Sequence, residues 1–152
     1  MSGATVRAVC QSEERTEPKL DIGTGQLRAE WGLIGDSHAG LPRKDRWQIS
    51  LLAWEDVLAM NERHGVEAVP GSFAENLSTQ GLETAKLKVG DRLQIGEHVI
   101  LEVEQLGKPL AIAHTFSYHG HSLLPTKGIF CGVLVGGSVA TGDKVVVLET
   151  SG

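Results

Sequence analysis

Polar and apolar residues alternate along TVRAVCQS, with Val6, Ala8 and Cys10 set against Arg7 and Val9, which predicts a first strand. Residues 11–30 are polar and read as an exposed excursion. WGLIGDSHAG then reads as a strand running into a glycine-rich loop, followed by a basic loop, LPRKDRW, with Arg43, Lys44 and Arg46. The chain has one strong helical pattern. Ile49, Leu52, Ala53, Val57 and Met60 recur at spacings of three and four, predicting a main helix over about residues 50–64. Ser50 is its expected N-cap, Glu55 and Asp56 lie toward its positive end, Arg63 and His64 toward its negative end, and Gly65 ends it.

Strand patterns follow. DRLQIGEHVILEVEQL predicts a hairpin, with Leu93 and Ile95, a turn near Gly96-Glu97, and then Val99, Leu101 and Val103 inward while Glu102 and Glu104 point outward. GIFCGVLVGG and DKVVVLE add two more strands. The run VGDRLQI returns as TGDKVVV, which reads as one Gly-Asp turn used twice rather than as a tandem repeat. Short glycine-punctuated strands with one helix predict a mainly β domain. The expected form is a closed or nearly closed barrel of about seven strands, which removes exposed sheet edges.

Composition narrows the function. A chain of 152 residues with 41% hydrophobic and 22% charged residues is expected to form a single domain with a real core. A formal charge of -5 argues against a general nucleic-acid binder while leaving room for a small anionic ligand in a local basic pocket. No run approaches the roughly 20 apolar residues of a membrane span, and the N-terminus lacks the pattern of a signal peptide. Two cysteines do not make a disulfide framework, so a reducing, cytoplasmic setting is expected.

Candidate chemistry falls in four places. In GDSHAG, glycines allow close approach of a ligand and Asp36 can orient His38; the bland alternative is a turn capped by Asp36 with His38 in solvent. In PGSFAENLSTQGL, Glu75 and Asn76 can pair with a heteroaromatic edge, or can bond the local backbone instead. His114, His119 and His121 cluster without matching a zinc motif, and read as a loop with histidines by chance. Cys131 lies in a run that is apolar on both faces, Ile129, Val133 and Val135 on its own side and Phe130 and Leu134 on the other. It reads as strand filling rather than as a catalytic thiol, because no charged neighbour in sequence would lower its pKa, and Cys10 reads the same way.

The blocks GLIGDSHAG, QISLLAWEDV, PGSFAENLSTQGL, VGDRLQIGEHVILEVEQLGK and GIFCGVLVGGSVATGD together resemble the MOSC domain, named for the C-terminal domain of molybdenum cofactor sulfurase, in its short stand-alone bacterial form. The resemblance runs from about residue 31 to 148. It implies a strand-rich, barrel-like domain that binds the molybdenum cofactor (molybdopterin), a pterin with a phosphate and a dithiolene-held metal. It also implies a part in cofactor sulfuration, maturation or delivery, as a sulfur carrier or, in some members, a reductase of N-hydroxylated compounds. Cofactor-maturation proteins or molybdoenzymes are the implied partners. The implied cofactor residues are Gly35, Asp36, His38, Gly40, Arg46, Gln48, Ser50, Glu75, Asn76, Lys108, Lys127 and Gly128, with Gly107 beside them. Lys108 and the basic loop would meet the phosphate, Glu75 and Asn76 the pterin edge.

Two departures bear on activity. The family cysteine that follows this Gly-Lys is replaced in GKPLAIAH by Pro109 and Leu110, and the usual Arg before Gln48 is Trp47, with Arg46 one position earlier. Without that thiol, sulfur transfer would need Cys131 as a relocated nucleophile. The alternatives are a binding module or a non-catalytic partner protein that kept the barrel. Pyridoxal phosphate belongs to a separate domain of full-length sulfurases, and no lysine pocket for it stands out in this chain.

Overall fold

The computed structural model describes residues 3–12, 18–36, 39, 48–107 and 118–148. In chain order the elements are β1 (Thr5–Gln11), β2 (Leu20–Asp21), β3 (Thr24–Arg28), β4 (Gly32–Leu33), β5 (Ile49–Ala53), α1 (Trp54–His64), β6 (Leu77–Gln80), a 3-10 turn (Thr84–Lys86), β7 (Arg92–Ile95), β8 (Val99–Leu106), α2 (Leu124–Lys127), β9 (Ile129–Val135), β10 (Gly137–Ala140) and β11 (Val145–Leu148).

The described strands form an eight-stranded sheet in the order β11-β7-β8-β9-β5-β6-β1-β2 and a three-stranded sheet in the order β10-β3-β4. The mainly β character with one main helix is as expected; in place of the expected closed or nearly closed barrel of about seven strands, the described strands form two sheets and no closed barrel. The large sheet curves enough for its ends to approach. Val6 N–H donates to the Asp143 carbonyl at 2.8 Å and Val145 N–H to the Ala4 carbonyl at 2.9 Å, around a single Thr5–Lys144 bridge. Gly142 N–H adds a bond to the Val6 carbonyl at 2.8 Å, but among the described residues these contacts do not extend into a ladder that closes the wall. One core lies inside the curve, filled by Ile49, Leu51, Leu77, Leu93, Leu101 and Ile129, with Leu27, Leu33 and Val139 of the small sheet covering it. A second cluster, Leu52, Phe73, Leu124 and Phe130 among others, lies on the outer face with Trp54 and Met60 of α1 packed against it. Among the described residues no helix is long and apolar enough to cross a membrane.

The helix begins four residues later than its apolar spacing predicts. Residues 49–53 are β5, buried at every position, and α1 starts at Trp54 with Ala53 as N-cap and no side-chain cap. Ser50 is therefore a strand residue. A segment apolar on both faces satisfies either period, and here position decides. β5 sits in the sheet centre, antiparallel to β9 and parallel to β6. A parallel pair needs a crossover, which α1 supplies. The C-terminal end is as predicted: Gly65 adopts φ 65° and donates to the Asn61 carbonyl.

The segment expected as an exposed excursion also differs. Residues 20–28 build β2 and β3, Leu27 is buried, and Lys19 is 2% exposed. The β7–β8 hairpin has the predicted register, with Ile95 opposite Val99 across Gly96 at φ 64°. The repeated Gly-Asp turn is present twice with the same bond. Asp91 Oδ2 accepts from Lys88 N–H and Asp143 Oδ2 from Ala140 N–H, both at 2.8 Å, with Gly90 and Gly142 in the left-handed region.

Candidate functional site

Alternation along the central strands sorts the candidate residues. Ile49 and Leu51 of β5 and Ile129, Cys131 and Val133 of β9 point into the inner core. Ser50, Leu52 and Phe130 belong to the outer face, where Phe130 pairs with Ser50 on one side and Gln105 on the other. Cys131 and Cys10 are both free and fully buried. Burial pushes both thiols far up, and negative neighbours add to it, Glu75 for Cys10 and Glu104 for Cys131. A thiolate is the reactive form of cysteine, so neither is placed for nucleophilic chemistry.

Glu75 and Asn76 lie inside the protein. Glu75 accepts from the N–H groups of Gly71 at 3.0 Å and Phe73 at 3.2 Å and from the Ser78 hydroxyl at 3.0 Å. Burial raises its pKa, and those donors pull it part of the way back. Asn76 joins three strands: its Oδ1 accepts from Ser50 N–H at 3.0 Å and its Nδ2 donates to the Cys10 carbonyl at 3.3 Å. Their polar atoms serve the backbone, and Glu75 is 0% and Asn76 1% exposed. Neither presents an open edge to a heterocycle.

Asp36 is turned inward too, toward a residue the sequence did not single out. Its Oδ1 accepts from Lys19 Nζ at 2.7 Å and from Ser12 N–H at 3.1 Å, and Lys19 also donates to Ser12 Oγ at 3.2 Å. Both charged side chains are fully buried. Nothing in the polar run around Lys19 signals that burial, because it depends on a partner 17 residues away. Gly35 takes φ 92°, and a Cβ there would come within 3.3 Å of Gln11 Oε1.

Gln48 and the glycine pair lie toward opposite ends of β9. Gln48 Oε1 accepts from Val133 N–H at 2.9 Å. Gly107 N–H donates to the Gly128 carbonyl at 2.8 Å, and a Cβ at Gly107 would sit 2.4 Å from the Pro125 carbonyl oxygen, so this close approach requires glycine. The contact brings Gly107 beside the residue that follows Lys127. Lys127 is exposed and lines an open groove of about 440 Å³ between α1 and α2 with Asp56, Met60, Arg63 and His64. His38, Gly40, Arg46, Lys108 and His114 lie outside the described residues. His121 stacks on His64 with ring centroids 4.0 Å apart, while His119 meets the edge of Tyr118. Among the described residues no group of His, Cys, Asp and Glu is placed to hold a metal.

One further carboxylate lies on this face. Glu104 sits at a bulge in β8, where the register passes from Val103–Cys131 to Gln105–Phe130. Its carboxylate covers Gly132: an ideal Cβ there would be 2.9 Å from Glu104 Oε2. Partial burial, with repulsion from Glu102 second, raises its pKa.

The comparisons with known proteins agree on the fold. The YuaD protein of Bacillus subtilis superposes with a TM-score of 0.76 at 20% identity over 97% of both chains. YiiM from Geobacillus stearothermophilus gives 0.71 at 19% identity over 96% of this chain and 75% of its own. YiiM from Escherichia coli gives 0.64 at 20% identity over 97% and 71%. No curated protein matches in sequence. Residues 36–146 match the sequence profile of the MOSC domain, which is most of the chain and spans the α1, hairpin and β9 segments described above; the protein belongs to the MOSC domain family.

Proposed function

We propose that this chain binds a phosphate-bearing pterin of the molybdenum-cofactor type and serves in its maturation or delivery, rather than acting as a thiol-based sulfur carrier. The observation that carries the second half is the position of the two thiols, both in the core with raised pKa values. The described polar groups left open around β9 are an ammonium (Lys127), an amide (Gln48) and a carboxylate (Glu104), whereas the buried Ser50 hydroxyl is engaged by Asn76. That set suits the hydrogen-bonding groups of a pterin and its phosphate and supplies no accessible soft ligand for the metal itself. Lys127 and Lys108 would hold the phosphate, and Gln48 would face the ring. When bound, the group would bring its own dithiolene sulfur and metal chemistry, and the protein's part is to hold and orient it.

Calorimetry with molybdopterin or its phosphorylated pterin precursor tests the reading. Binding is expected to the wild type, and Lys127→Ala and Lys108→Ala should each weaken it by about tenfold, as loss of a charge-assisted contact does. No heat with either compound would remove the proposal. The thiol alternative has its own test. N-ethylmaleimide should leave Cys10 and Cys131 unmodified by mass spectrometry until denaturant is added; fast labelling of Cys131 in the native protein would restore it.

A non-catalytic partner protein is the second reading, and one observation favours it. Leu20 is 72%, Ile22 40% and Ile34 50% exposed at β2 and around the small sheet. A cytoplasmic setting fits two unpaired cysteines under either reading.

A further inference from the structure

The outer face of β8, β9 and β5 carries a pattern of open hydrogen-bonding groups that neither Glu75 nor Asn76 can supply. The bulge at Glu104 takes that residue out of the β8 ladder, and its side chain runs sideways over β9. It can do so because position 132 is glycine. The three nearest atoms to a Cβ at that position all belong to the Glu104 carboxyl group, at 2.9, 3.1 and 3.2 Å. No left-handed φ requires glycine there, so its role is space. The neighbouring outer acid, Glu102, is engaged by Arg92 Nε at 3.4 Å. Glu104 has no hydrogen bond or ion pair with any described residue, leaving both carboxylate oxygens as acceptors.

On the other side of β9 from Glu104 lies Gln48, the residue just before β5 and one position before the Ile49–Cys131 pair. Its Oε1 is held by Val133 N–H. A main-chain N–H can only donate, so this bond settles which end of the amide is oxygen and leaves Nε2 as a donor without a described partner. Glu104 therefore offers two adjacent acceptors, and Gln48, beside the next residue of β9, offers one donor.

That is the complement of a pterin's pyrimidine edge, which presents an exocyclic amino group, a ring N–H and a ring carbonyl side by side. Resting on the pterin reading above, we propose that Glu104 and Gln48 read this edge. The Glu104 carboxylate accepts from the amino group and ring N–H as a two-pronged pair, and Gln48 Nε2 donates to the carbonyl. Gly132 is the positioning residue that lets the carboxylate lie across the strand.

Fluorescence titration with hydroxymethylpterin and with lumazine, in which a carbonyl replaces the amino group, tests the assignment. The wild type should bind the pterin about tenfold or more tightly than lumazine, because lumazine sets an oxygen against the carboxylate. Glu104→Gln should lose most of the pterin affinity and the preference together. Gly132→Ala, whose added methyl displaces the carboxylate, should do the same while Glu104 is still present. Unfolding midpoints close to wild type are expected for Glu104→Gln, since the residue is exposed and holds nothing else. A Glu104→Gln protein that keeps the wild-type preference, or a wild type that binds pterin and lumazine equally, overturns the edge assignment while leaving pterin binding standing. A wild type that binds neither overturns the cofactor reading and this assignment with it.

Discussion

Lys19→Met is expected to destabilise the folded protein by about 3–5 kcal/mol, the usual consequence of removing one partner of a buried ion pair. Lys19 Nζ lies 2.7 Å from Asp36 Oδ1, with both side chains removed from water. Methionine fills the volume of the lysine stem but takes the lysine charge away from the buried Asp36 carboxylate, which keeps its bond from Ser12 N–H. The double variant Lys19→Met/Asp36→Leu should recover a large part of the loss, because replacing both charges removes the desolvation penalty along with the attraction. Equilibrium denaturation of the three proteins measures this directly. A single variant within about 1 kcal/mol of wild type would show that the pair is not a stabilising element. The effect should reach function as well, since Asp36 opens the segment that carries His38, Gly40 and Arg46.

The second large effect is expected at Glu75. Glu75→Ala should cost about 3 kcal/mol or more, as three donors, Gly71 N–H, Phe73 N–H and Ser78 Oγ–H, lose their acceptor in a site closed to bulk water. The turn it holds is a demanding one. Ala74 has φ 69°, and a Cβ at Gly71 would lie 2.1 Å from the Lys19 carbonyl oxygen, so the backbone cannot relax by shifting toward that neighbour. Glu75 also makes a pH prediction. Its pKa is raised in the folded protein, mainly by burial. The folded state therefore holds the proton more tightly than the unfolded state, and this group's contribution to stability declines as pH rises from the ordinary carboxyl range toward the raised value. Glu75→Gln removes that titration. The stability difference between wild type and Glu75→Gln should shrink with rising pH across this window, as read by denaturation at a series of pH values. A difference that grows instead would mean that the three donors outweigh burial.

Much of the fold was legible in the chain. The hairpin at residues 92–106 and both Gly-Asp turns were readable because strand alternation and turn chemistry are set by residues adjacent in sequence. The buried state of Cys131 was readable for the same reason: apolar residues on both faces leave a strand no wet side. The segment at 49–53 was not legible, because a short apolar run fits a helix and a buried strand equally well. Only pairing with β9 and β6 separates them. The candidate site was legible as a set of blocks and not as a set of contacts. Glu75 and Asn76 look like open polar groups in sequence, yet a loop rich in polar residues can satisfy them internally, and it does. Lys19 gave no local signal of its burial, and for Glu104 the alternation gave the outward direction but not the reach over Gly132.

Taken by itself, then, the sequence determined the mainly β character, the helix end at Gly65, the hairpin register and the inert setting of both thiols. It also carried the blocks of the MOSC family. Each rests on the covalent neighbourhood of a few residues, and periodicity and turn geometry act over that range. The tertiary structure decided that the sheet curves without closing, that β5 is a strand, that Lys19 meets Asp36, and that Glu104 lies over Gly132. These depend on which distant segments come together. Burial and pairing, the two factors that set the cost of a charge or the freedom of a carboxylate, are properties of that meeting and not of the local chain.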